Sequence, residues 1–134
     1  MAMRPTRNDL PESVRGKIAE LCNARLADLI DLKLQSKQAH WNARGENFIA
    51  LHKLFDEIAE QADGHIDAVA ERVVQMGGLA DGLLQSVARR STLVPYPATA
   101  TDMTSHLKAI SDAIAATGKL VRKAIDTAAE LGDA

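Results

Sequence analysis

Residues Lys37 to Gly78 read KQAHWNARGENFIALHKLFDEIAEQADGHIDAVAERVVQMGG, and the order of breaks and polar pairs within them decides the fold. His40 closes one helical pattern, and Arg44-Gly45 interrupts it. Asn47 offers a side-chain N-cap for a second helix from Phe48 to Met76, which Gly77-Gly78 then stops. Along this helix His52 and Asp56 stand four apart, as do Asp67 and Glu71. Residues at that spacing share a helix face, so each pair is a two-ligand unit for a metal.

Within one chain the two pairs stay apart, because the rise from His52 to Asp67 is roughly 22 Å. Around the axis, however, all four fall inside an arc of about 100°, one polar stripe with a gap in its middle. A second copy of the helix, antiparallel about a two-fold axis near Gln61, sets His52 and Asp56 beside the partner's Asp67 and Glu71. Isologous dimers have this reciprocity. His40 completes each site from the preceding helix. The pattern therefore predicts a metal site shared between subunits. Carboxylates with imidazole suit Fe(II) and also bind Zn(II) or Mn(II). His65 lies about 220° round the helix from His52 and reads as a surface or packing residue.

Outward from this stretch, the chain reads as all-α. Pro11 fits a first helical turn and Glu12 suits a helix start. Val14, Ile18, Leu21, Leu29 and Leu32 then carry a helical repeat over residues 12–43. Met1 to Leu10 is polar and aperiodic, and is predicted to be a flexible arm, with one helical domain over 11–134. A short connector helix is expected near 80–89. Pro95 and Pro97 keep Ser91 to Thr101 out of a helix. Thr101 or Asp102 caps a third long helix, 102–131, that carries Leu107, Ile110, Ile114, Leu120, Val121 and Ile125 and ends at Gly132.

Aromatic residues make up only 3% of the 134, which fits helices better than strands. A net charge of −2 provides no overall positive field for nucleic acid. The single cysteine, Cys22, has no internal disulfide partner and reads as a small buried residue. No apolar run approaches membrane-spanning length, and no signal-peptide core is evident, so the prediction is a cytoplasmic chain with no membrane partner. Plain alternatives stand beside the metal reading. Acids four apart are often solvated surface, Trp41 reads equally as a partly buried packing residue, and Lys33, Lys37 and Arg44 read as helix-surface charges. Nothing in the sequence converges on His106.

KQAHWNARG, the spaced ALHKLFDEIAE and the run DGHIDAVAERVVQMGG resemble the signature of the Dps proteins (DNA protection during starvation), also called miniferritins. The likeness runs in register from about Leu29 to Gly78, with a weaker echo at Pro95–Pro97 and at Val121–Ile125. What the resemblance implies is a ferritin-like helical bundle, a hollow dodecamer, Fe(II) oxidation to Fe(III) at the dimer interface, and DNA protection. Carried over residue by residue, His40, His52, Asp56, Asp67 and Glu71 take the ferroxidase ligand positions, and Trp41 an aromatic beside them. Hydrogen peroxide is the oxidant the resemblance favours. The ordinary ferritin Glu-x-x-His motif is missing, in keeping with a site at an interface.

Asp126, Glu130 and Asp133 fall where family members line an acidic three-fold pore. Arg4 and Arg7 fall in the arm that some members use to contact DNA, nonspecifically and through phosphates. The family's fourth long helix is expected after Asp133, so the chain reads as a C-terminally shortened form. Two other functions fit the sequence. One is a nonspecific DNA-binding nucleoid protein with little iron chemistry, and the other is a helical subunit without activity.

Overall fold

The computed structural model describes all 134 residues and contains four helices: α1 (Glu12–Asn42), α2 (Phe48–Gln75), α3 (Leu84–Arg90) and α4 (Met103–Glu130). Three are long and one is short, as the sequence pattern requires. No strand forms; a lone bridge between Arg44 and Asp102 ties the α1–α2 turn to the start of α4.

The helix ends follow local chemistry. Pro11 precedes α1 as its N-cap rather than lying inside the first turn, and its carbonyl accepts the Val14 and Arg15 amides. At the C-terminus of α2, Gly77 (φ +90°) donates to Val74 O and Gly78 donates to Val73 O. Gly132 (φ +95°) and Asp133 repeat this arrangement on Ala129 O and Ala128 O after α4. Both are Schellman closures, in which a left-handed glycine turns the chain back onto the last free carbonyls. Asp102 caps α4 by accepting the Ser105 amide at 2.9 Å.

Two local expectations need correction. Asn47 occupies the cap position of α2 in the left-handed region (φ 59°), and its side chain makes no capping bond. Asparagine tolerates that conformation, and the tight turn through Gly45 requires it. Helix α3 begins at Leu84, not near residue 80. The buried Asn23 side chain donates to Leu79 O and accepts from the Asp81 amide, and this backbone is not helical.

Helix α1 is the hub of the fold. Helices α2, α3 and α4 each pack on it, while the α2 and α4 backbones do not approach one another. Ile18 and Ala19 of α1 are buried with Val73 and Met76 at one end, and Ala39 and Ala43 with Phe55 and Ile110 at the other. Between α2 and α4 lies an apolar groove of about 480 Å³, lined by Leu21, Leu29, Ile58, Val69, Val121 and Ile125 among others. Polar side chains of α1 fasten the proline-rich connection: Asp28 accepts from the Thr92 amide and hydroxyl, Asp31 from the Ser91 hydroxyl, and Gln35 donates to Val94 O.

Met1 to Leu10, expected as a flexible arm, has no helix but lies along the end of α2. The Arg4 amide donates to Gly77 O at 2.7 Å, and Met3 and Leu10 pack on the Ile18–Met76 cluster. The buried Arg15 guanidinium donates to Met76 O and to Arg4 O, bridging α1, α2 and the arm.

Candidate metal centre at the corner of α1 and α2

The sharp turn at residues 43–47 folds the last turn of α1 back against the second turn of α2. It brings together His40 and His52, twelve residues apart in sequence. Their imidazole rings stack with centroids 3.7 Å apart and planes 19° from parallel, and Phe48 also stacks on His52, at 4.9 Å. His40 Nδ1 lies 2.6 Å from the His52 carbonyl oxygen, and His52 Nδ1 lies 2.7 Å from the His40 carbonyl oxygen. A carbonyl only accepts, so each Nδ1 carries the proton and donates. In a neutral ring held this way the free lone pair is on Nε2, so Nε2 is the atom each histidine has for a metal. Backbone carbonyls thus hold both rings in the ligand form, as supporting partners do for metal-binding histidines.

Asp56 lies one helical turn beyond His52. Its Oδ1 is 2.6 Å from Lys37 Nζ of α1. The hydrogen bond from Lys37 lowers the Asp56 carboxyl below its ordinary value, and the charges of Lys37, His40 and His52 act in the same direction. Lys37 Nζ also sits 5.7 Å from the centroid of the Trp41 ring. Trp41 is 64% exposed in the single chain. Lys37, read from sequence as a surface charge, links the candidate carboxylate to the candidate aromatic. The available signal was its position on α1, three residues before His40 and four before Trp41.

Asp67 and Glu71 are exposed farther along α2. No three His, Cys, Asp or Glu residues converge closely enough within one chain to hold a metal ion. One chain sets His40 against His52, with Asp56 one turn farther along α2, and leaves Asp67 and Glu71 exposed. The donor types there, two imidazoles and a carboxylate, suit divalent iron or zinc.

The other candidates fall into separate places. His65 borders the apolar groove, away from the His40–His52 corner. His106, expected to have no partner, is fully buried, stacks on Tyr96 and bonds through Nδ1 to the Tyr96 hydroxyl, while its Nε2 is buried without a partner. Burial pushes the Tyr96 phenol up to about 12. Asp126 and Glu130 are exposed. Asp133 instead receives the Arg72 guanidinium on both carboxylate oxygens, so it is engaged rather than free. The Arg4 and Arg7 side chains are exposed.

Known proteins resemble the chain over most of its length. A family profile described as Ferritin-like domain matches residues 19–134. The DNA protection during starvation protein of Agrobacterium fabrum is 43% identical over 133 residues, covering 99% of this chain and 82% of that protein. Among solved structures, DpsC from Streptomyces coelicolor superposes with a TM-score of 0.93 at 30% identity, covering 98% of this chain and 77% of that one. The Dps of Microbacterium arborescens in its high iron form superposes at 0.81 with 32% identity, covering 96% and 82%. Sequence and fold thus agree along nearly the whole chain, and the chain belongs to the Dps family of ferritin-like proteins.

Proposed function

We propose that this protein oxidises Fe(II) to Fe(III) and stores the product, with His40, His52 and Asp56 of one chain and the partner's Asp67 and Glu71 forming each site. The observation that carries this reading is the reciprocal Nδ1 bonding of His40 and His52, which reserves both Nε2 atoms for a ligand role one turn from Asp56. The outward-facing acids on α2 support completion by a second copy. Iron is the substrate: with hydrogen peroxide, two Fe(II) give up one electron each, the O–O bond breaks, and two protons are taken up to form two waters. Consuming peroxide in this two-electron way suppresses hydroxyl radical formation and so protects DNA. Exposed Trp41 stands ready to take up a stray oxidising equivalent.

Dodecamer assembly, with Asp126 and Glu130 as the acids along which iron enters, completes the proposal, and Zn(II) or Mn(II) are the substitutes the ligand set accepts. A cytoplasmic, nucleoid-associated location follows from the DNA-protecting role. The test is the rate of Fe(II) oxidation by peroxide for the wild-type chain beside Asp67→Asn. A fast rate that collapses in the variant supports the reading, and rates equal to the protein-free control for both refute it.

Exposed Arg4 and Arg7 favour a second role, nonspecific binding to DNA phosphates, multiplied by repetition of the arm in an assembly. Retention of DNA that fades as salt rises and disappears in Arg4→Ala/Arg7→Ala supports it. Salt-independent retention, or none, counts against it.

A further inference from the structure

We propose that Tyr96, with His106 as its proton acceptor, is a one-electron reserve that completes the two-electron reduction of peroxide when a single Fe(II) occupies the site. The inference rests on the site reading above and gives a role to two residues outside it.

Tyr96 is the only tyrosine of the chain, as Trp41 is the only tryptophan. Its hydroxyl bonds to Nδ1 of His106, and the two rings stack with centroids 5.9 Å apart. His106 is fully buried and its Nε2 has no partner, so the acid–base chemistry of the ring is directed at the phenol. Burial pushes that phenol up to about 12, which disfavours ionisation ahead of oxidation. Electron and proton therefore leave together, and a bare Nδ1 in hydrogen-bond contact gives the proton a place to go. Asp102 stands one turn before His106 in the chain. Its carboxyl is held below the ordinary value mainly because Ser105 donates to it, and the charge of His106 acts in the same direction. That carboxylate in turn favours an imidazolium at position 106.

The pair lies close under the metal corner. Tyr96 packs on the cluster of Ala39, Ala43, Phe55 and Ile110. Ala39 precedes His40 and Phe55 precedes Asp56, so this apolar layer includes the chain neighbours of two candidate ligands.

The step balances. One Fe(II) and the Tyr96 phenol each give one electron to hydrogen peroxide, the O–O bond breaks, and two protons from solvent are taken up to form two waters. The phenol proton passes to His106 Nδ1, leaving Fe(III), a neutral phenoxyl radical and an imidazolium. A second Fe(II) then returns an electron to the radical, and the proton moves back to the phenol oxygen. The sum is two Fe(II) oxidised per peroxide, with no hydroxyl radical released.

The test mixes the wild-type chain with less than one Fe(II) per site and excess peroxide, freezes it rapidly, and reads electron paramagnetic resonance beside Fe(III) absorbance. A tyrosyl signal is expected, and the sequence permits only Tyr96 as its origin. It should vanish when further Fe(II) is added and persist in Trp41→Phe. Tyr96→Phe is expected to release more hydroxyl radical to a spin trap. His106→Gln, checked for folding by circular dichroism, should lower the tyrosyl yield by about tenfold or more, because the proton loses its positioned base. Undiminished yield in that variant overturns the role of His106. Fe(II) oxidation that requires His52, shown by its loss in His52→Ala, but gives no tyrosyl signal in the wild-type chain overturns the reserve alone. A tyrosyl signal that survives His52→Ala overturns its coupling to the corner. Oxidation no faster than the protein-free control overturns the site, and the reserve with it.

Discussion

Complementation between two defective chains tests the shared site most sharply. Asp56→Asn and Asp67→Asn each replace a carboxylate by an amide of the same shape. Neither position is buried, so folding is preserved. In a homodimer of either variant both sites lack one carboxylate, and oxidation should fall toward the protein-free rate. In a mixed dimer the defects fall together. One site receives both amides, at position 56 from the first chain and at position 67 from the second, while the other site keeps both native acids. When equal amounts are unfolded and refolded together, about half of the dimers are mixed and each carries one intact site of two, so about a quarter of the wild-type rate should return. The assay is peroxide-driven Fe(II) oxidation, followed by the absorbance of Fe(III), against each variant refolded alone. No recovery on mixing would refute the shared site, because ligands confined to one chain cannot complement. A native rate for Asp67→Asn alone would refute it equally.

Other perturbations have equally defined outcomes. Gly77→Ala places a Cβ against Arg4 O in a left-handed backbone position, and should cost about 1–2 kcal/mol or more in urea unfolding while detaching the N-terminal segment. Tyr96→Phe removes the hydroxyl bonded to buried His106 and leaves both ring nitrogens without partners, a loss of about 1–3 kcal/mol by the same measurement. Asp56 titrates below its ordinary value of 3.8 in the folded chain because Lys37 donates to it. Its contribution to stability is therefore present above 3.8 and is lost as pH falls through the lowered folded value. In NMR titrations, Lys37→Gln should raise the Asp56 midpoint, and no change would show that the ion pair does not govern it.

The sequence alone determined the three long helices and most of their ends, because these depend on groups a few residues apart. Pro11, Asp102 and the glycines at 77 and 132 act on backbone groups within one or two turns, and the apolar repeat needs no distant partner. The Dps resemblance was legible for a similar reason: ligand types and helical spacing are written directly in Lys37–Gly78.

Only the tertiary structure decided what those residues meet. His40 and His52 become a tautomer-defined pair because the chain reverses between them, and neither position alone specifies which nitrogen is bare. Lys37 could have stayed in solvent, yet packing α1 on α2 sets it on Asp56 and near Trp41. His106 is buried against Tyr96, Asn23 delays the start of α3, and Arg72 engages Asp133 across a separation of 61 residues. Such contacts depend on side-chain direction across packed helices, which a periodic pattern does not encode. Local sequence sets backbone shape, whereas polar partners are chosen where distant surfaces close together and each buried donor must find an acceptor.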